Sequence, residues 1–244
     1  MKLDGKTAIV SGASSGIGAA IVRLLRGEGV RVAGGARRVE QVQADLALEL
    51  DVTDPESCAS FVAGAVHELG GLDILVNNAG LALGREPFDE STEVDEETVL
   101  ETNVHGLIRM TRLCLPHLRD GGHIVNMGSV AGMVAYPNGA LYVASKFAVH
   151  GFTQALREDL LGRPIRLTNL APGLVDTEFS RVRFRGDEEK ASAVYANVPF
   201  GGALTAEDIA ECALFALTRP LHVNIDEIVI KALAQSSGAR IHRE

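Results

Sequence analysis

The chain has 244 residues, 46% of them hydrophobic, which supports a substantial core and fits one large α/β domain better than two small ones. Its 32 acidic and 23 basic side chains leave a formal charge of −9, which opposes general attraction to nucleic acid or an anionic membrane and points to small-molecule chemistry. No run approaches the roughly 20 apolar residues of a membrane span. Cys58, Cys114 and Cys212 are odd in number and scattered, and no His-x-x-x-His or carboxylate cluster has ligand-like spacing, so neither a disulfide framework nor a metal site is expected.

In chain order, Met1 to Lys6 leads into a strand rather than the apolar core of a signal peptide, and a cytosolic protein is expected. Thr7 to Val10 reads as the first strand and Ala19 to Arg26 as the first helix. Between them lies Ser11-Gly12-Ala13-Ser14-Ser15-Gly16-Ile17-Gly18. Glycines there admit close backbone approach to a pyrophosphate, and the amides at a helix N-terminus face the anion. Gly12, Ser14, Ser15, Gly16, Ile17 and Gly18 are therefore candidate nucleotide contacts.

Val30 to Ala33 reads as the second strand, followed by Gly34-Gly35-Ala36-Arg37-Arg38. An NAD site wants a carboxylate here to accept from the ribose 2′-hydroxyl, and none is present. Ala36 removes the repulsion that would exclude a 2′-phosphate, while Arg37 and Arg38 supply donors to it, so NADP(H) is the expected cofactor.

A short third strand, Leu48 to Leu50, precedes Asp51, which fits adenine contact and the N-cap of the next helix equally well. The fourth strand, Ile74 to Asn77, runs into Asn78-Ala79-Gly80, read either as ligand contacts at a strand's C-terminal end or as ordinary turn residues. Next come a long helix over Thr98 to Leu118, a strand over His123 to Met127, a helix over Leu141 to Leu160, and strands over Arg166 to Leu170 and Glu227 to Ile230. Alternating strands and helices predict a parallel sheet covered on both faces, seven strands in all. The polar stretch Arg181 to Tyr195 interrupts this rhythm and reads as a substrate lid, spanning about 176–200, or as a solvated loop.

The chemistry centres on Tyr142 and Lys146, one helical turn apart on one face. A phenol ionises near pH ~10 and works as a general acid or base near neutrality only if its phenolate is stabilised. The Lys146 ammonium is placed to lower that pKa, and a cationic nicotinamide nearby would lower it further.

Together these residues resemble the short-chain dehydrogenase/reductase family over essentially the whole chain. Gly12-x-x-x-Gly16-x-Gly18, Asp51, Asn77-Asn78-Ala79-Gly80, Asn103, Ser129, Tyr142-x-x-x-Lys146 and Pro172-Gly173 occur in the family's order. The resemblance implies a single-domain, doubly wound Rossmann fold. It implies that Tyr142 is the general acid or base and that Lys146 tunes it and holds the nicotinamide ribose. Ser129 would bond the substrate oxygen, and Asn103 would hold a proton-relay water. It also places Leu50, Asn77, Ala79, Gly80, Pro172, Gly173, Val175 and Thr177 at the cofactor, and implies a homotetramer, a dimer being the alternative. The stretch between Arg38 and Asp51 is shorter than the family norm, so a truncated helix is expected there.

Within the family, Asn77 to Gly84, Pro172-Gly173-Leu174-Val175, Thr177-Glu178-Phe179 and Leu221 to Ile225 look like the NADP-dependent 3-hydroxy acid dehydrogenase group. That similarity implies oxidation of serine, allo-threonine and other 3-hydroxy acids, reduction of malonic semialdehyde, and pairing of Arg183 with a substrate carboxylate. Two readings compete with it: a reductase of neutral ketones or aldehydes with the same chemistry, and a catalytically silent NADP-binding sensor. Retention of Ser129, Tyr142 and Lys146 argues against the second.

Overall fold

In the computed structural model, which describes residues 1–244, seven strands form one parallel sheet in the order β3-β2-β1-β4-β5-β6-β7. They are β1 (Thr7–Ser11), β2 (Arg31–Ala36), β3 (Leu46–Glu49), β4 (Leu72–Asn77), β5 (Leu118–Met127), β6 (Arg166–Pro172) and β7 (Glu227–Ile230). Successive side chains on a strand point to opposite faces, and the apolar residues obey that period. Ala8 and Val10 of β1, with Ile74 and Val76 of β4, join one core, whereas Ile9 and Leu75 join the other. The first core is closed by α1 (Gly16–Gly27) and α8 (Ala206–Leu217), the second by α2 (Pro55–Leu69), α4 (Gly106–Cys114) and α5 (Ala140–Asp159). No helix is long and apolar enough to cross a membrane.

Several elements depart from their sequence-based bounds. β2 runs three residues beyond Ala33, through Gly34 and Gly35, because neighbours leave no room for side chains: a Cβ on Gly35 would lie 2.6 Å from the Phe61 ring. Only a short 3-10 turn, Val39–Gln41, separates β2 from β3, as the short intervening sequence implied. Asp51 is not the cap of α2. Asp54 is, accepting from the Glu56 amide one residue before Pro55, while Asp51 accepts instead from the amide and hydroxyl of Thr53.

The helix expected over Thr98 to Leu118 is not continuous. It comprises α3 (Glu93–Leu100), a π-helical turn over Glu101–His105, α4, and a 3-10 turn over Leu115–His117. β5 already begins at Leu118, five residues earlier than expected. The amphipathic pattern runs through these changes of pitch, so periodicity did not show them. The 176–200 segment contains two short helices, α6 (Phe179–Arg183) and α7 (Glu188–Ala193), held down where a single nitrogen of Arg185, Nη2, donates to both carboxylate oxygens of Asp95 in α3 at 2.8 and 2.7 Å.

Candidate active site

The strand order reverses direction between β1 and β4, and the crevice beyond their C-terminal ends is where open α/β sheets bind ligands. There the ends of the two strands are tied together. The Ser11 hydroxyl accepts from the amides of Asn78 and Ala79 at 3.1 Å, and Asn78 Nδ2 donates to the carbonyls of Ser11 and Gly12 at 3.1 Å. Gly12 has φ 67°, and a Cβ on it would meet Asn78 Nδ2 at 2.8 Å. A Cβ on Gly18 would fall 2.1 Å from the Gly12 carbonyl oxygen, so this glycine lets α1 close on the turn.

A cavity of about 680 Å³ opens over this junction. All but three of the sequence-derived site residues line it, and the exceptions are Gly18, Asn77 and Asn103. Asn77 is buried beneath the site, donating to Thr111 Oγ1 at 2.8 Å and Asn126 Oδ1 at 2.9 Å. Asn103, in the π-helical turn, pairs with both backbone groups of Leu81 at 2.8 Å and donates to Ser145 Oγ at 3.0 Å. It joins the loop after β4 to the helix that carries Tyr142.

At one end of the cavity Arg37 and Arg38 follow β2, and Arg38 reaches Ser15 Oγ at 3.2 Å and Glu178 at 2.8 Å. Burial alone would raise the Asp51 carboxyl's pKa; the Thr53 bonds and the Arg37 charge outweigh it and hold the pKa below its usual value. The first turn of α1 carries no acid, so its amides present positive potential to the cavity. A glycine cradle closed to side chains, a helix N-terminus and two guanidiniums just beyond β2 fit a dinucleotide bearing an extra phosphate.

At the other end, α5 presents Tyr142 and buries Lys146, whose Nζ donates to the Met127 carbonyl at 2.7 Å and stands 5.7 Å from the Tyr142 ring centroid. Ser129 caps a 3-10 turn: its Oγ accepts from the Ala131 amide at 3.1 Å and donates to the Pro172 carbonyl at 3.4 Å. The phenol's pKa does not fall in the protein alone. Burial pushes it up to about 12, against the Ser129 hydroxyl and the Arg183 charge that pull it down. Burial also pushes Lys146 down to about 8. Without the positive charge of a bound oxidised nicotinamide, the tyrosine is held protonated.

Arg183 of α6 lies over this pair, 5.8 Å from the Tyr142 ring centroid, anchored by Nε to the Gly84 carbonyl at 3.0 Å and by Nη2 to the Tyr136 hydroxyl at 3.1 Å. Arg85, Tyr136, Glu178 and Arg243 also line the cavity and were not singled out as site residues from the sequence. A signal existed for Arg85, which directly follows the Asn77 to Gly84 segment at the end of β4. None existed for Arg243, which reaches the site only because the chain's last residues fold back across the lid.

The short chain dehydrogenase family model matches residues 6–188. The NADP-dependent 3-hydroxy acid dehydrogenase YdfG of Escherichia coli strain K12 is 41% identical over 248 residues, covering 97% of this chain and 99% of its own. The NADP-dependent 3-hydroxy acid dehydrogenase of Schizosaccharomyces pombe is 39% identical over 258 residues, covering 100% and 98%. Among solved structures, the closed form of a serine dehydrogenase complexed with NADP+ superposes with a TM-score of 0.90 at 41% identity, covering 98% of this chain and 100% of that one.

Proposed function

The chain belongs to the short-chain dehydrogenase family, and from that membership we propose that it transfers hydride between NADP(H) and a 3-hydroxy acid or the corresponding 3-oxo acid or semialdehyde. The observation that carries the substrate class is Arg183: a guanidinium 5.8 Å from the Tyr142 ring is placed to hold a carboxylate while the neighbouring hydroxyl meets Tyr142. The relatives' names point the same way.

A bound nicotinamide would supply the hydride acceptor or donor, and in its oxidised form a positive charge beside Tyr142. Gly12, Ser14, Ser15, Gly16 and Ile17 cradle the pyrophosphate. Arg37 and Arg38 hold the 2′-phosphate, and Leu50 and Asp51 flank the adenine. Ala79, Gly80, Pro172, Gly173, Val175 and Thr177 line the nicotinamide half. Gly18 and Asn77 act one layer back, by letting α1 close and by bracing β4.

In oxidation, Tyr142 takes the substrate's hydroxyl proton as hydride leaves the carbon; in reduction it returns that proton to the developing alkoxide. Ser129 donates to the same oxygen. The buried Lys146 ammonium stabilises the phenolate and reaches the nicotinamide ribose. Asn103 holds the water of the relay that passes the proton outward. The 176–200 segment serves as the lid that excludes water. The assembly is a homotetramer working in the cytoplasm, a reading that rests on family habit.

NADPH absorbance with the purified protein tests this directly, with NADP or NAD and L-serine, allo-threonine or 3-hydroxypropionate, then NADPH with malonic semialdehyde and neutral ketones. NADP-linked oxidation of the acids is expected. Turnover confined to neutral ketones refutes the acid specificity and leaves a carbonyl reductase.

A further inference from the structure

The substrate end of the cavity carries more positive charge than one carboxylate uses. Only two acids line the cavity, Asp51 and Glu178, and both belong to the nucleotide end through Arg37 and Arg38. At the other end Arg85 and Arg183 stand beside Tyr136 and Arg243 lines the same cavity, and none of the three takes part in an ion pair. In a chain with nine more acids than bases, three unpaired guanidiniums at one pocket call for an anion.

Their hydrogen bonds distinguish them. Arg183 is anchored to Gly84 and Tyr136, and Arg243 donates to the carbonyls of Val194 and Ala196 in the lid. Arg85 makes no side-chain hydrogen bond to the protein; only its backbone amide is engaged, by Glu86. Its guanidinium stands 6.0 Å from the Tyr136 ring centroid, and that of Arg183 stands 5.8 Å from the same centroid, so the two flank one ring. Burial, and then the Arg183 charge, hold the Arg85 pKa below its ordinary value; Tyr136 opposes this and Arg243 adds to it. A second anion beside Arg85 would relieve that repulsion and occupy a fork of donors that is otherwise idle.

We propose that the pocket accepts a dicarboxylate, with one carboxylate on Arg183 and the second on the free fork of Arg85, which makes a 3-hydroxy dicarboxylate such as 3-hydroxyglutarate the preferred substrate. This rests on the 3-hydroxy-acid reading and narrows it. The redox step is unchanged: the carbon–hydrogen bond at C3 breaks with its electron pair passing as hydride to NADP+, the hydroxyl proton passes to Tyr142, and 3-oxoglutarate and NADPH result.

The test compares NADP-linked kcat/KM for 3-hydroxyglutarate with that for 3-hydroxybutyrate, which lacks the second charge, in the parent enzyme and in Arg85→Met and Arg85→Lys. The parent is expected to favour the dicarboxylate by about tenfold or more. Arg85→Met should collapse that ratio towards one, with Arg85→Lys falling between. No preference in the parent, or a preference that Arg85→Met leaves intact, overturns the proposal. Calorimetric titration of the NADP-saturated parent with glutarate and with butyrate reads the same site without turnover, and equal binding of the two also overturns it. If glutarate binds in an Arg85-dependent way while neither hydroxy acid is oxidised, the 3-hydroxy-acid reading fails and the dicarboxylate site stands.

Discussion

Arg38 donates to Glu178 at 2.8 Å, so an arginine proposed to hold the 2′-phosphate is already paired with a carboxylate just before α6. The pair joins the loop after β2 to the residue preceding α6, and an incoming phosphate competes with Glu178 for the same guanidinium. Glu178→Gln should therefore tighten NADPH binding, by up to about fivefold given the ~1 kcal/mol ceiling of an exposed pair, and leave NADH binding unchanged. Fluorescence titration of both cofactors checks this. Equal tightening for both would mean that Glu178 acts on the shared part of the dinucleotide.

The converse change removes the proposed partners of the phosphate. Arg37→Asp combined with Arg38→Ala should weaken NADPH binding far more than NADH binding, because the new carboxylate suits a 2′-hydroxyl and repels a 2′-phosphate. Comparable losses for the two cofactors would remove these arginines from the ribose site.

Tyr142→Phe keeps the ring's edge contact with Phe179 and removes only the hydroxyl. Turnover should fall by roughly 10²–10⁴, the range of general acid–base catalysis, while the NADPH dissociation constant stays near that of the parent. Stopped-flow turnover beside a binding titration separates the two, and retained turnover would exclude the phenol as the proton carrier.

The Lys146 ammonium, pushed down to about 8, is charged below that pH and neutral above it. If its charge stabilises the phenolate and the bound cofactor, kcat/KM for carbonyl reduction should decline as pH rises through about 8. Lys146→Arg, with a cation that does not titrate in this range, should remove that limb. A profile flat from pH 7 to 9 in the parent would dissociate the lysine's charge from the rate.

His123 contributes to acid stability. Its Nε2 donates to Thr168 Oγ1 at 2.8 Å, since that hydroxyl's own proton goes to the Ile225 carbonyl, and Nδ1 has no partner. Burial, then the Arg166 charge, lower its pKa from 6.5 to about 3. Between those values the unfolded chain binds a proton that the native protein does not, so stability declines as pH falls from about 6.5 towards 3, by up to ~1.4 kcal/mol per unit. Denaturant unfolding at pH 7, 6 and 5 should show this slope, and His123→Gln, which still offers Thr168 a donor, should flatten it.

The strands whose side chains alternate, β1 and β4, were legible in the sequence because every position there carries a residue that packs. The end of β2 was hidden by Gly34 and Gly35, which pack by having no side chain at all. The proposed catalytic pair was legible because its members sit four residues apart on one helix, and Arg37 with Arg38 because they directly follow a strand. Tyr136 and Arg243 were not, since only the folded chain brings positions so distant in sequence to one cavity, whereas Arg85 directly follows a segment that was read. The protonated state of Tyr142 in the protein alone was equally out of reach: it reflects burial, which helical spacing does not encode.

The π-helical turn between α3 and α4 makes chain length itself a component of the active site. A helix advances roughly 100° per residue, and the wide turn, closed by the Gly106 amide on the Glu101 carbonyl, holds one residue more than an α-helical turn would. Deleting any single residue from 101 to 105 would give a smoother helix while rotating α3 against α4. That rotation would carry Val99 out of the core, or Asn103 away from Leu81 and Ser145. An alignment that closes this position as a one-residue gap, or a redesign that regularises it for stability, would thus keep Ser129, Tyr142 and Lys146 and lose the frame that aims them.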